Sequence, residues 1–86
     1  MKRKRKLTFE KVWKDNSIGG SSVATDSWIM HCVFEAAEYS HMEIMQIKLS
    51  NLYTCKVIVK ATKMEFQSFV HRVIDRLKDN IKEINF

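Results

Sequence analysis

The stretch EIMQIKLSNLYTCKVIVKA, residues 43–61, decides the fold that we predict. Apolar and polar side chains alternate from Tyr53 to Ala61, and a similar pattern runs from Glu43 to Leu49. Alternation with a period of two is typical of a strand that buries one face. The two segments are separated by Ser50-Asn51-Leu52, and asparagine tolerates the left-handed backbone of a tight turn. We therefore predict a β-hairpin here.

A helix is predicted after the hairpin, from Met64 to about Ile81. Apolar side chains recur there at intervals of three and four residues, which places them on one face of a helix. That face is formed by Phe66, Val70, Val73, Leu77 and Ile81.

The segment before the hairpin, Thr25 to His41, is compatible with a helix or a strand because Trp28 to Phe34 is almost wholly apolar. The following Glu35–Glu38 favours a helix by intrinsic propensity. Thr25 or Asp26 is a suitable cap for its first turn. We therefore predict a helix whose buried face includes Ile29, Cys32, Val33 and Ala36.

A first strand is predicted from Leu7 to Trp13, and the Gly- and Ser-rich segment from Asp15 to Ser22 is predicted to be a flexible loop. The order is then β-α-β-β-α. We expect an α+β fold in which a three-stranded antiparallel sheet carries both helices on one face. Such a sheet has exposed edges, which favours pairing with a second copy. Residues 1–6 are predicted to be a basic tail and residues 7–86 a single domain.

Size and charge limit the possible functions. The chain has 86 residues, a hydrophobic fraction of 45% and a net charge of +5, which suits one small globular domain. No apolar run reaches about 18 residues, the length of a membrane span. The basic first residues lack the apolar stretch of a secretory signal. We expect a cytoplasmic protein, or a nuclear one in a eukaryote, with no membrane partner.

The positive charge is concentrated at one end. Residues 1–14 hold seven basic side chains against Glu10, whereas the remainder of the chain is close to neutral. A basic segment on a neutral body attracts phosphate groups by long-range electrostatics. The candidate nucleic-acid-binding residues are Lys2, Arg3, Lys4, Arg5 and Lys6, together with Arg72 on the second helix.

Candidate catalytic groups are few. His31 is adjacent to Cys32, and Cys55 lies on a predicted strand, but no close pair has the spacing of zinc ligands. Cysteines on apolar faces are usually unreactive core thiols. We therefore expect no catalytic residues, no metal and no cofactor, and we interpret the chain as a non-enzyme.

The block from Val33 to Phe86 resembles the CTAG/Pcc-type dimerisation subunit of the KEOPS complex. The resemblance rests on Val33–Met42 at the end of the first helix, on Val57–Thr62 in the hairpin, and on Phe66–Leu77 in the second helix. KEOPS attaches a threonylcarbamoyl group to N6 of an adenosine beside the anticodon of certain tRNAs. The resemblance implies a non-catalytic assembly subunit that supports tRNA binding.

The resemblance also implies partners: the KEOPS catalytic subunit, a second copy or paralogue of this chain in a homo- or heterodimer, and tRNA. The two helices would pack on a helical hairpin of the catalytic subunit. The residues expected to bind that partner are Phe66, Val70, Val73, Leu77, Ile81, Ile29 and Val33.

Two other functions remain open. In the first, the chain is a stand-alone RNA- or DNA-binding module that uses its basic tail and a sheet face. The predicted hairpin places Met45, Ile47 and Leu49 on one face of its first strand, and the phosphate-binding face would carry Lys48, Lys56 and Lys60. In the second, the chain is a small regulatory domain of the ACT-like kind that binds a metabolite between paired sheets.

Overall fold

Residues 2–14, 21–22, 26–50 and 54–86 are described by the computed structural model, and they form six strands and two α-helices. The strands are β1 (Arg3–Lys11), β2 (Trp13–Lys14), β3 (Ser21–Ser22), β4 (Glu43–Ser50), β5 (Thr54–Ala61) and β6 (Ile81–Asn85). The helices are α1 (Asp26–Tyr39) and α2 (Lys63–Leu77), and a 3-10 turn (Lys78–Asn80) follows α2.

The main sheet has four strands in the order β4-β5-β1-β6, and every neighbouring pair is antiparallel. The two-residue strands β2 and β3 form a separate small ladder. With these two set aside, the elements follow the order β-α-β-β-α-β, which is that of the ferredoxin-like or split βαβ motif. The fold is therefore α+β, with β1 and β5 at the centre of the sheet.

The predicted three-stranded sheet is wrong, because β6 adds a fourth strand beside β1. We predicted that the second helix extends to about Ile81, because Ile81 lies four residues after Leu77 and continues the apolar spacing. In the structure, α2 ends at Leu77, and Lys78 takes a positive φ of 41° that an α-helix does not accommodate. Ile81 is buried as predicted, but it belongs to β6.

Both helices cover one face of the sheet, and the core lies between the two layers. The predicted apolar faces of both helices are confirmed except at Ile81, since their other side chains are buried there. The helices contribute Ile29, Cys32, Val33, Ala36 and Ala37 from α1, and Phe66, Phe69, Val70, Val73 and Leu77 from α2. The strands contribute Leu7, Phe9, Cys55, Val57, Val59, Ala61 and Ile81.

The start of α2 is fixed by a capping box. The Glu65 N–H donates to the Thr62 hydroxyl at 3.2 Å, and the Thr62 N–H donates to the Glu65 carboxylate at 2.9 Å. These two bonds satisfy backbone donors that the first helical turn leaves unpaired. The start of α1 is joined to the sheet by an ion pair between Asp26 and Lys11. The other candidate cap, Thr25, lies outside the described residues.

The basic N-terminal segment is part of the sheet. Arg3 is the register partner of Ala61, and the pairing of β1 with β5 continues to Glu10 and Thr54. The boundary that we predicted between a tail and a domain at residue 7 therefore falls inside β1. Residues 3–6 are all basic and therefore show no apolar–polar alternation, which explains why the sequence pattern did not extend β1 to Arg3.

The predicted hairpin is present as β4 and β5, with one difference in β4. A register shift between Ile44 and Gln46 forms a bulge at Met45. Ile44 therefore joins Ile47 on the helix-covered face, whereas Met45, predicted on that face, is 47% exposed. Of the predicted turn, Ser50 is the last residue of β4, whereas Asn51 and Leu52 lie outside the described residues, as do Tyr53, predicted to begin the second strand, and most of the predicted loop, residues 15–20. Neither helix in the described part of the chain has the length and apolarity needed to cross a membrane.

Candidate nucleic-acid interface

The face of the main sheet that points away from the helices is open and rich in lysine. Among the described residues, strand register and exposure place six lysines and two glutamates on this face. The face therefore has a net charge of +4, and the whole chain has a net charge of +5. The glutamates are Glu10 and Glu43, and the lysines are Lys4, Lys6, Lys48, Lys56, Lys60 and Lys82.

Strand pairing brings lysines directly beside one another. Lys4 of β1 is the register partner of Lys60 of β5, and Lys48 of β4 is the register partner of Lys56 of β5. Directly opposite side chains in an antiparallel pair have Cβ atoms about 5 Å apart, and like charges at that spacing destabilise a sheet. Two such pairs on one small face create a strongly positive potential that attracts anions.

A fifth lysine completes the cluster around an aliphatic centre. Ile58 of β5 is half-buried, and its register partners are Lys6 on one side and Gln46 on the other. The two lysine pairs lie before and after this row along β5. We call the surface formed by Lys4, Lys6, Lys48, Lys56 and Lys60 around Ile58 the lysine face.

Lys82 lies apart from this cluster. It is the register partner of Glu10, so its charge is offset by a carboxylate. Glu43 is likewise a register partner of Lys60, at the end of the lysine face that also carries Lys4.

Aromatic side chains are missing from the open face among the described residues. Its uncharged members with a register partner are Thr8, Gln46, Thr54, Ile58 and Asn85, and Met45 is exposed at the bulge in β4. Proteins that stack nucleic-acid bases on a sheet use aromatic rings on its open face. The lysine face is instead equipped for point-charge contacts with phosphate groups.

The predicted basic tail is divided between the two faces of the sheet. Of its residues, Lys4 and Lys6 lie on the lysine face. Arg5 lies on the helix side, where its Nε donates to the Ala61 carbonyl at 3.1 Å and its guanidinium lies 6.0 Å from the centre of the Phe66 ring. That guanidinium therefore serves the packing of β1 against α2 rather than the lysine face.

Lys2, Arg3 and Arg72, which were also predicted to contact phosphate, lie away from the lysine face. Arg3 lies on the helix side of the sheet with its register partner Ala61. Lys2 forms an ion pair with Glu65 at 3.5 Å. The Arg72 guanidinium on α2 lies 4.9 Å from the centre of the Tyr39 ring of α1, a cation–π contact.

The surface between the helices carries mixed charge. The Glu35 carboxylate forms an ion pair with the Arg76 guanidinium at 2.8 Å, and Nε2 of His31 lies 3.3 Å from the same carboxylate. The His31 ring stacks on Trp28. Asp75 lies in the same groove. Because cations there are paired with carboxylates or rings, this surface attracts phosphate less strongly than the lysine face does.

The seven residues predicted to bind a partner are all buried within this chain. Their exposed fractions range from 0% to 7%. They pack against the sheet because a sheet of this size needs one face covered by apolar side chains. Any partner that docks on this arrangement of the helices therefore meets other residues. The buried seven are Phe66, Val70, Val73, Leu77, Ile81, Ile29 and Val33.

The two thiols are enclosed in the core. Cys32 and Cys55 each have an exposed fraction of 0%. Burial raises the pKa of Cys55 from 9.0 to about 11, and the nearby Lys11 ammonium offsets this only in part. The Cys55 thiol is therefore protonated at neutral pH. Within the described residues, no group of three or more His, Cys, Asp or Glu side chains is arranged to hold a metal ion.

Sequence reasoning assigned Lys48, Lys56 and Lys60 to a sheet face but left Lys4 and Lys6 in a separate basic tail. The signal was present in the alternation of β1, where Leu7 and Phe9 face the core and the even-numbered residues face away. The pairing of β1 with β5 is a long-range contact, so the sequence pattern alone did not reveal that the two groups of lysines adjoin.

No protein-family model matches the sequence, and searches of curated proteins and of solved structures find no match. The resemblance to the KEOPS dimerisation subunit is neither supported nor contradicted by these comparisons and stays a prediction.

Proposed function

We propose that this chain is a non-catalytic nucleic-acid-binding module that holds the sugar-phosphate backbone on its lysine face. The observation that carries the proposal is the pairing of Lys4 with Lys60 and of Lys48 with Lys56 on one open face of the sheet. A polyanion neutralises both pairs at once and releases its own condensed counterions, which supplies the free energy of binding.

The chemistry of the site favours backbone contact over base recognition. Lysine is a flexible point charge that contacts phosphate without the bidentate geometry by which arginine recognises guanine. The open face has no aromatic side chain within the described residues. Binding is therefore expected to be insensitive to sequence and sensitive to salt.

A solubilising surface is the competing explanation for the lysines. Surfaces that serve solubility intersperse the two signs of charge, and like charges placed opposite each other in a sheet lower its stability. The lysine face has two such pairs, with one carboxylate, Glu43, beside them. This arrangement favours an anionic ligand.

A second candidate function is the assembly subunit of the KEOPS complex, acting in the cytoplasm on tRNA. Its support is the outer edge of β4, which pairs with no strand among the described residues, and Met45 of that strand, which is exposed. An open edge with an exposed apolar side chain suits strand pairing with another chain. Co-elution with a KEOPS catalytic subunit would favour this function, and tRNA would then be one ligand of the lysine face.

Matched charge removal tests the proposed function. One variant replaces Lys4, Lys56 and Lys60 by glutamine, and the control variant replaces exposed Lys63, Arg72 and Lys78, which lie on α2 and the turn after it. Both lose three charges. Fluorescence anisotropy with a labelled oligonucleotide should show at least about a tenfold larger loss for the first variant. Equal losses would mean that net charge, not the lysine face, binds the oligonucleotide, and would contradict the proposal.

A further inference from the structure

The arrangement of the lysines points to the form of nucleic acid that they fit. Resting on the proposed function, we infer that the lysine face binds double-stranded nucleic acid and contacts the phosphates of both strands across one groove. The geometry that carries this inference is the separation of the two lysine pairs along β5.

The two pairs form two parallel rows. The first row is Lys4 with Lys60, and the second is Lys48 with Lys56. Lys56 and Lys60 are four residues apart on one strand, which corresponds to about 13 Å at the usual rise per residue. The major groove of B-form DNA is about 12 Å wide, so each row can reach the phosphates on one side of a groove.

The sheet is too wide to enter a groove. A major groove admits a two-stranded ribbon. This sheet has four strands, and its outer strand axes are separated by about 14 Å at the usual strand spacing. The open face is therefore expected to lie across the groove, with its lysines on the two phosphate rims and Ile58 over the gap between them.

A single strand gains less from this surface. Proteins that hold single strands without sequence preference combine a basic groove with aromatic rings on which the bases stack. Stacking contributes about 1–3 kcal/mol per base. The lysine face offers Ile58 where a ring would be needed, and no aromatic residue shares the open face among the described residues. Exposed bases of a single strand would remain in water.

The test uses the full chain and four probes at one salt concentration: a DNA duplex, an RNA duplex of the same sequence, and one single strand of each. Each single strand has twice the length of one duplex strand, so that all four probes carry about the same number of phosphates. We expect the DNA duplex to bind about tenfold or more tightly than the single-stranded DNA, because the spacing of the rows matches the major groove of B-form DNA. A preference confined to the RNA duplex, whose major groove is deep and narrow, would contradict that match. Single strands that bind as tightly as both duplexes would overturn it while leaving the proposed function intact, and absence of binding to all four would overturn both.

Row variants add a readout that net charge alone does not produce. Lys4 and Lys60 are replaced by glutamine in one variant, and Lys48 and Lys56 in the other, so each loses two charges. If the rows contact opposite strands, each variant loses most of the preference for duplex over single strand. A preference that survives in either variant would show that one row suffices, and would contradict contact with both strands.

Discussion

Lys48 of β4 and Lys56 of β5 are register partners, so two ammonium groups leave the sheet side by side on its open face. The next partner of Lys56, on β1, is Thr8, which carries no charge. Neither neighbour therefore neutralises Lys56, and the arrangement lowers the stability of the free chain while raising its attraction for anions.

Replacing Lys56 by threonine should stabilise the free chain and weaken its binding to nucleic acid. Threonine favours a strand, and the change removes a like-charge contact that is worth up to about 1 kcal/mol. Urea unfolding at low salt measures the expected rise in the free energy of unfolding. Lys82→Thr is the control on the same face, and it should not be stabilising to the same degree because Lys82 lies opposite Glu10. Equal stabilisation by both variants would show that repulsion at Lys56 has no role.

The ion pair between Lys11 and Asp26 should make the two single substitutions unequal. The Lys11 side chain is 7% exposed, whereas the Asp26 side chain is 51% exposed. Asp26→Ala leaves a buried ammonium without its partner and should lower the free energy of unfolding by about 1–3 kcal/mol. Lys11→Met leaves a carboxylate that water still solvates, and should cost less.

A double-mutant cycle separates this pair from the effect of Asp26 on the first turn of α1, where an acidic residue favours the helix dipole. In the Lys11→Met background, Asp26→Ala should lose most of its cost. A cost that is unchanged in that background would assign the effect to the helix terminus and not to the ion pair.

Acid should remove the contribution of the α2 capping box. The hydrogen bond from the Thr62 backbone N–H to Glu65, assisted by the Lys2 ammonium, holds the Glu65 pKa below its ordinary 4.5, while desolvation opposes the shift. A carboxyl whose pKa is lowered by folding stabilises the folded state above its unfolded pKa, and this contribution is lost as the pH falls through the folded pKa. Glu65→Gln should therefore unfold more easily than the parent chain near neutral pH, and the difference should shrink on acidification below 4.5. A difference independent of pH would show that ionised Glu65 does not stabilise α2.

The thiols should report global unfolding. Cys32 and Cys55 are fully buried, and burial raises the pKa of Cys55 to about 11. A thiol reagent reacts with the thiolate, so labelling at neutral pH should be slow and should accelerate in step with urea unfolding. Rapid labelling of the native chain would mean that the layer of helices opens over the sheet far more often than this core implies.

Much of the fold follows from local pattern. The alternation around β5 predicts the hairpin, and the spacing from Phe66 to Leu77 predicts α2, because both periods arise from the geometry of one element. The fourth strand was missed because Ile81 continues the spacing of α2, and only the positive φ at Lys78 ends the helix before it.

The candidate site was harder to predict because it depends on pairing between distant strands. Lys4 and Lys60 are 56 positions apart, yet they are register partners. Alternation within β1 assigns Lys4 and Lys6 to the face opposite Leu7, but the neighbour of that face is set by the order of strands in the sheet. The sequence pattern therefore identifies which lysines share a face of their own strand, whereas the order of strands in the sheet shows that these lysines are neighbours.

The salt dependence of binding tests the central claim most directly. Anisotropy titrations of a labelled duplex at several salt concentrations give the slope of log K against log[salt], which is about −0.9 for each phosphate contacted. Five lysines on the lysine face predict a slope near −4 to −5 for the parent chain, and Lys4→Gln, Lys56→Gln and Lys60→Gln should each reduce its magnitude by about 1. Lys63→Gln, at the start of α2 in the layer of helices, should leave the slope unchanged. A slope near zero, or one that falls equally for Lys63→Gln, would contradict phosphate binding by the lysine face.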